Sequence, residues 1–225
     1  SCLTQGEPAY TKIFQKKSAK IALSGGSTPK PVYQALAKKL KTLHRTEAKA
    51  NPEFFQVDER YVPKNHKDSN YKLINESLIN KLPKNQKNLV KFHHFDTSLP
   101  IKKSLAKYSV QLPKSGFDLC VLGIGTDGHT ASLFPNSPAL NSKAKVAHTT
   151  TKEFAPNHRL TITFPTILKS KKLLVLLKGK DKAPILEKLK TYSKKSPTPP
   201  DLKNFPALKL LKHPDLTIHF SEGPL

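Results

Sequence analysis

Apolar residues recur along this chain in two rhythms. Dense runs that end in glycine or charge read as strands: "KIALSGG" (20–26), "EFFQVDERYV" (53–62), "FDLCVLGIG" (117–125) and "LTIHF" (216–220), with two more in "HRLTITFPTILKSKKLLVLLKG" (158–179) separated by a short helical turn. Between them, apolar residues fall three and four apart. That spacing predicts helices over "STPKPVYQALAKKL" (27–40), "SNYKLINESLINKL" (69–82), "SLAKYSVQL" (104–112) and "DKAPILEKLKTY" (181–192). Ser27, Thr28 and Pro29 mark the first helix start, and Asp68, Ser69 and Asn70 cap the second. Strands alternating with helices predict an α/β fold, a Rossmann-like three-layer sandwich with a mostly parallel central sheet, whose ligands gather beyond the carboxyl ends of the strands. The Pro-rich "SPTPPDLKNFP" (196–206) reads as a stiff connector within the domain.

Composition narrows this picture. The 225 residues fit one domain spanning 1–225, in which 1–19 form a short N-terminal segment open to a helix. The longest aliphatic run, Leu173 to Leu177, is far short of the roughly 20 apolar residues of a membrane span. No cationic stretch followed by an apolar one opens the chain, so no secretory signal is expected. Cys2 and Cys120 do not make a disulfide framework, and a reducing compartment, the cytoplasm, is expected. The net charge of +23 comes almost wholly from lysine, read either as a solvated coat or as a surface for nucleic acid. Arginine occurs only at 45, 60 and 159, which makes each of its rigid, anion-matching forks informative.

The candidate chemistry sits at strand ends. "GIGTDGHTASLFP" (123–135) has the Gly-x-Gly-x-x-Gly spacing of a dinucleotide turn, but Asp127 would repel the pyrophosphate, proline arrives too soon for a helix, and no acid follows at the ribose position. No nucleotide cofactor is expected. The glycines instead expose Asp127 and His129, a carboxylate and imidazole that can make a general base; a histidine merely bonded to its loop is the plain alternative. No His or Cys lies at ligand spacing nearby, so no metal is expected. "LSGGSTP" places Gly25, Gly26, Ser27 and Thr28 between strand and helix, where backbone N–H groups, hydroxyls and the positive helix end can cradle a phosphate or simply cap the turn. In "QVDERYVPKNHKDSNY" (56–71), Asp58 is placed to face a reacting carbon and Arg60 to clamp an anion, whereas Glu59 is read as one half of a surface ion pair.

Together, "ALSGGSTPKPVYQALA", "VDERYVPKNHKDSNY", "FDLCVLGIGTDGHTASLFP", "HRLTITFPTI" and "LLKGKDKAPILEKL" resemble, in order, the 6-phosphogluconolactonases, within the group that includes glucosamine-6-phosphate deaminases. The resemblance implies a metal-independent enzyme that needs no cofactor and hydrolyses a sugar phosphate lactone of the oxidative pentose phosphate pathway. By position it makes His129 the base, Asp127 its partner and Asp58 an active-site aspartate. Gly25, Gly26, Ser27 and Thr28 match the phosphate loop, with Arg60, Arg159 and Lys182 as cationic contacts. Thr126 stands where the family often has glutamate, Asn136 where it often has glycine, and the segment before the first strand is short. Two alternatives remain: the deaminase reaction, whose Asn-Glu-Pro pattern is absent after His129, and a basic nucleic-acid-binding protein on an enzyme fold. A small-molecule partner, neither membrane nor specific nucleic acid, and a monomer are expected.

Overall fold

The computed structural model describes residues 18–43 and 52–223. Cys2, Arg45 and nearly all of the expected N-terminal segment lie outside the described residues. Nine strands and seven α-helices are described in chain order: β1 (Lys20–Leu23), α1 (Lys30–Leu43), β2 (Glu53–Gln56), β3 (Asp58–Arg60), α2 (Asn70–Ser77), α3 (Lys84–Lys87), β4 (Lys91–His93), α4 (Ile101–Gln111), β5 (Leu119–Gly123), β6 (Val146–Thr150), β7 (His158–Ile162), α5 (Phe164–Leu168), β8 (Leu173–Lys178), α6 (Ala183–Ser193), α7 (Pro199–Asn204) and β9 (Leu216–Ser221).

Six strands form one all-parallel sheet in the order β4-β2-β1-β5-β8-β9. The chain winds outward from β1 through β2 to β4, then restarts on the other side at β5. This reversal opens a crevice between the carboxyl ends of β1 and β5, the usual ligand position in such sheets. Both faces are covered, which explains why the strands read as continuous apolar runs rather than alternating ones. Along β5, Leu119 and Val121 pack with Tyr33, Leu40 and Ile74 on one face, whereas Cys120 and Leu122 pack with Tyr108, Ile185 and Leu189 on the other.

"EFFQVDERYV" is two strands rather than one. Val57 is the joint: its N–H still donates to Leu23 O of the parallel sheet at 2.9 Å, while its carbonyl accepts from Ile162 N at 2.9 Å. Beyond it, β3 pairs antiparallel with β7, which pairs with β6 in a second, three-stranded sheet. Sheet β3-β7-β6 thus overhangs the end of β1. The short β4 and β6 are additional to the sequence reading.

The segment read as a stiff connector contains α7. Its prolines occupy the first helical positions, where a missing N–H costs nothing, and Thr198 and Asp201 form a capping box. Hydrogen bonds from the Thr198 and Tyr192 hydroxyls hold the Asp201 carboxyl down at about 2. A depressed folded value means that this contribution is present above the unfolded carboxylate pKa of about 4 and is lost as pH falls toward about 2. Asp201→Asn is therefore expected to flatten the pH dependence of stability between those values, as read from urea midpoints along an acid series.

Candidate active site

The turn after β1 is shaped by what stands against it. A β-carbon on Gly25 would lie 1.8 Å from Asn70 Oδ1, so only glycine lets the loop close on α2. The Tyr33 hydroxyl of α1 donates to Ser24 O at 2.7 Å and ties the turn to the helix it opens. The turn after β5 is similar in logic. A β-carbon on Gly125 would lie 2.2 Å from His129 Nδ1, so the imidazole lies directly on the glycine backbone. Asp127 Oδ1 accepts from His129 N at 3.1 Å and is 2.6 Å from His129 Nδ1. The bond assigns the proton to Nδ1 and leaves Nε2 with the lone pair. Burial acts to raise the Asp127 pKa, but the hydrogen bond and charge of His129 outweigh it and hold the carboxyl below its ordinary value. The ring is flanked by Phe134 and Phe154, at centroid distances of 4.7 and 5.3 Å.

Both turns wall one cavity of about 190 Å³. Gly25, Gly26 and Thr28 line it from the β1 side, His129 from the β5 side, and Asp58, Arg60 and Lys182 complete its polar wall. Asp127 stands behind His129. Asp58, 7% exposed, accepts the Ser132 hydroxyl on Oδ2 at 2.7 Å, and Asn70 Nδ2 donates to its backbone carbonyl at 2.9 Å. Arg60 is anchored through Nη1 to Asp68 O at 2.7 Å.

Two expected contacts stand apart from the cavity wall. Ser27 is exposed at the outer side of its turn. Arg159 is buried one strand back, and its Nη2 donates to Phe154 O at 3.2 Å. It sits directly opposite Arg60 in the β3/β7 ladder, so two like charges face each other across the strands. Burial first, then the Arg60 charge, pushes its pKa down. Arg159 therefore stands beside Arg60 as a second positive charge next to the cavity wall.

Glu59 overturns its reading as a surface ion pair. It is 1% exposed, and its carboxylate accepts from the backbone N–H groups of Arg60, Asn70 and Tyr71 at 2.7–2.8 Å, from Gln56 Nε2 at 2.7 Å and from the Ser69 hydroxyl at 3.2 Å. Burial pushes its pKa up against those bonds. Glu59 satisfies the otherwise orphaned first N–H groups of α2, alongside Ser69, whose side chain accepts from Lys72 N. Ala131 and Ser132 belong to the site without having been singled out, and Asn70 was read only as a helix cap; that Asn70 and Ser132 contact Asp58 is not visible in a linear order.

Fold and site together define a Rossmann-like α/β protein with a polar pocket at the strand reversal, where Arg60 and Lys182 stand with Asp58 beside an imidazole. A model of the glucosamine-6-phosphate isomerases/6-phosphogluconolactonase family matches residues 7–210, and the chain belongs to that family. A Dictyostelium discoideum protein named "Probable 6-phosphogluconolactonase" is 35% identical over 220 residues, covering 93% of this chain and 87% of its own. The crystal structure of 6-phosphogluconolactonase from Thermotoga maritima superposes with a TM-score of 0.71 at 32% identity, over 93% of this chain and 88% of that one. The 6-phosphogluconolactonase from Trypanosoma brucei gives 0.72 at 29% identity, with the same coverage.

Proposed function

We propose that the chain is a 6-phosphogluconolactonase, hydrolysing 6-phospho-D-glucono-1,5-lactone to 6-phosphogluconate in the oxidative branch of the pentose phosphate pathway. The observation that carries this reading is the single cavity shared by the Gly25–Thr28 turn and His129. The phosphate sits against the backbone N–H groups of Gly25 and Gly26 and the Thr28 hydroxyl, with Arg60 and Lys182 as charge partners. The lactone ring then extends toward His129. His129 Nε2 takes a proton from water as the water oxygen bonds to the lactone carbonyl carbon. N–H and cationic groups of the wall stabilise the tetrahedral oxyanion. Collapse breaks the bond to the ring oxygen, which leaves with the proton returned by His129. Asp127 holds the imidazole in the tautomer this needs, and Asp58, an acceptor when ionised, receives a ring hydroxyl and fixes the face presented to water.

A coupled assay on the lactone, corrected for its spontaneous opening, tests the reading. Ammonia release from glucosamine 6-phosphate without lactonase turnover would overturn it in favour of the deaminase reaction. Arg60→Ala is expected to raise KM on the order of 10- to 100-fold, the loss of a charge-assisted contact, with a smaller change in kcat. Arg60→Lys is expected to restore only part, because a point charge does not reproduce the planar fork.

The enzyme works as a monomeric single domain with a sugar phosphate as its partner. The lysines are a solvated coat rather than a specific nucleic-acid surface; a steep fall of log K with log salt for RNA at tight affinity would contradict this. Among the described residues no helix is long and apolar enough to cross a membrane. The buried free thiol of Cys120 fits a reducing compartment, and the cytoplasm is its proposed location.

A further inference from the structure

Ser132 carries more bonds than a loop serine needs. It is 1% exposed, and each of its polar groups is taken by a different strand of the small sheet. Its hydroxyl donates to Asp58 Oδ2 in β3 at 2.7 Å, its N–H donates to Thr161 Oγ1 in β7 at 3.2 Å, and its carbonyl accepts from Thr149 Oγ1 in β6 at 2.8 Å. Asp58 and Thr161 are direct partners in the β3/β7 ladder, so their side chains rise from one face and meet the serine together. Just before it, Ala131 lines the cavity with φ at 52°, a conformation alanine adopts only where its surroundings dictate it. Thr130 closes the other end through Gly123 O at 2.9 Å. The loop that leaves His129 is thus pinned to β5 at one residue and to all three strands of the small sheet two residues later.

We infer that Ser132 is a positioning residue, which aims the Asp58 carboxylate into the cavity and fixes its separation from His129. The contrast between the two carboxylate oxygens supports this. Oδ2 is held at 2.7 Å by Ser132, whereas the donor facing Oδ1, Asn70 Nδ2, stands at a long 3.4 Å. One oxygen is immobilised and the other retains capacity for a substrate hydroxyl. Asp58 and His129 come from the two sheets, and among the described residues Ser132 joins the His129 loop directly to Asp58. The inference rests on the reading of Asp58 as a substrate contact in the lactonase reaction.

A kinetic cycle on the intact chain tests it, using Ser132→Ala, Asp58→Asn and the double variant with 6-phosphogluconolactone, and inorganic phosphate as competitive inhibitor. Ser132→Ala is expected to lower kcat/KM on the order of 10- to 100-fold, the range for removing a hydrogen bond to a charged group that sets reacting geometry. In the Asp58→Asn background the same change is expected to have almost no further effect. The phosphate inhibition constant should stay unchanged in Ser132→Ala, because the serine does not line the cavity that the Gly25–Thr28 turn walls, and should be the same in Asp58→Asn and the double variant; a merely structural serine would disturb it along with the rate. Ser132→Cys, which keeps a weaker donor, should fall between serine and alanine, and carries the cycle if the alanine variant does not fold. Losses that multiply in the double variant, wild-type rates from Ser132→Ala, or a weakened phosphate constant would each overturn the assignment. Absence of lactone turnover in the unmodified chain, or an Asp58→Asn variant of full activity, would instead reject the underlying reading and this role with it.

Discussion

His129→Ala is expected to lower kcat for the lactone by roughly 10²- to 10⁴-fold, the range of positioned general-base assistance, with KM changed far less. The asymmetry follows from the proposed binding mode: phosphate would be held by the β1 turn and Arg60, whereas the imidazole lies across the cavity on the β5 turn. The fold should survive, because the ring is half-buried and its strongest bond, 2.6 Å to Asp127, is internal to its own turn. A melting temperature close to that of the unmodified protein checks this point. Asp127→Asn offers a graded companion. The amide retains the shape but cannot hold the same tautomer as firmly, so kcat should drop while phosphate inhibition stays constant. Wild-type turnover from His129→Ala, after subtraction of spontaneous hydrolysis, would remove His129 from the role.

The largest effect on stability is expected at Glu59. Truncation to alanine abandons five donors in a pocket closed to water, three of them backbone N–H groups. The cost of leaving buried donors unpaired, and of losing the anion that caps α2, puts the expected destabilisation at about 3–5 kcal/mol. That is a large fraction of the stability of an ordinary domain. The urea midpoint should fall with an unchanged slope, since the amount of surface exposed on unfolding is nearly the same. Glu59→Gln should recover part of the loss: the shape is kept, but one acceptor oxygen becomes a donor facing other donors. Because α2 carries Asn70, which packs on Gly25 and Asp58, weaker phosphate binding should accompany the lost stability. A Glu59→Ala protein as stable as the original would show that the cap is dispensable.

Asn136 occupies a position whose backbone favours glycine or asparagine. It stands where the resemblance led glycine to be expected and adopts φ of 60°, a left-handed conformation that asparagine tolerates better than other side-chain-bearing residues. Substitution by a β-branched residue would be strained there, whereas asparagine is not.

Local pattern settled much of this protein. The apolar runs of β1, β5 and β8, the three-and-four spacing of α1, and the glycines of two turns follow from requirements each segment imposes on itself, so they were legible in the amino-acid order, as was the Asp127–His129 pair, which is two residues apart. What joins distant residues was not. Glu59 looked like a surface acid because nothing in "VDERYV" discloses that the strand changes sheet at Val57 and is then roofed by α2. The place of Arg159 opposite Arg60 exists only once β3 and β7 pair. Ser132 meets Asp58 from 74 residues away. The sequence by itself determined the longer strands and helices, among them β1, β5, β8, α1 and α6, and which side chains carry charge at the strand tips. Only the tertiary structure decided which tips meet at the reversal between β1 and β5, and which charged groups the interior hides, because burial and distance arise from packing between segments.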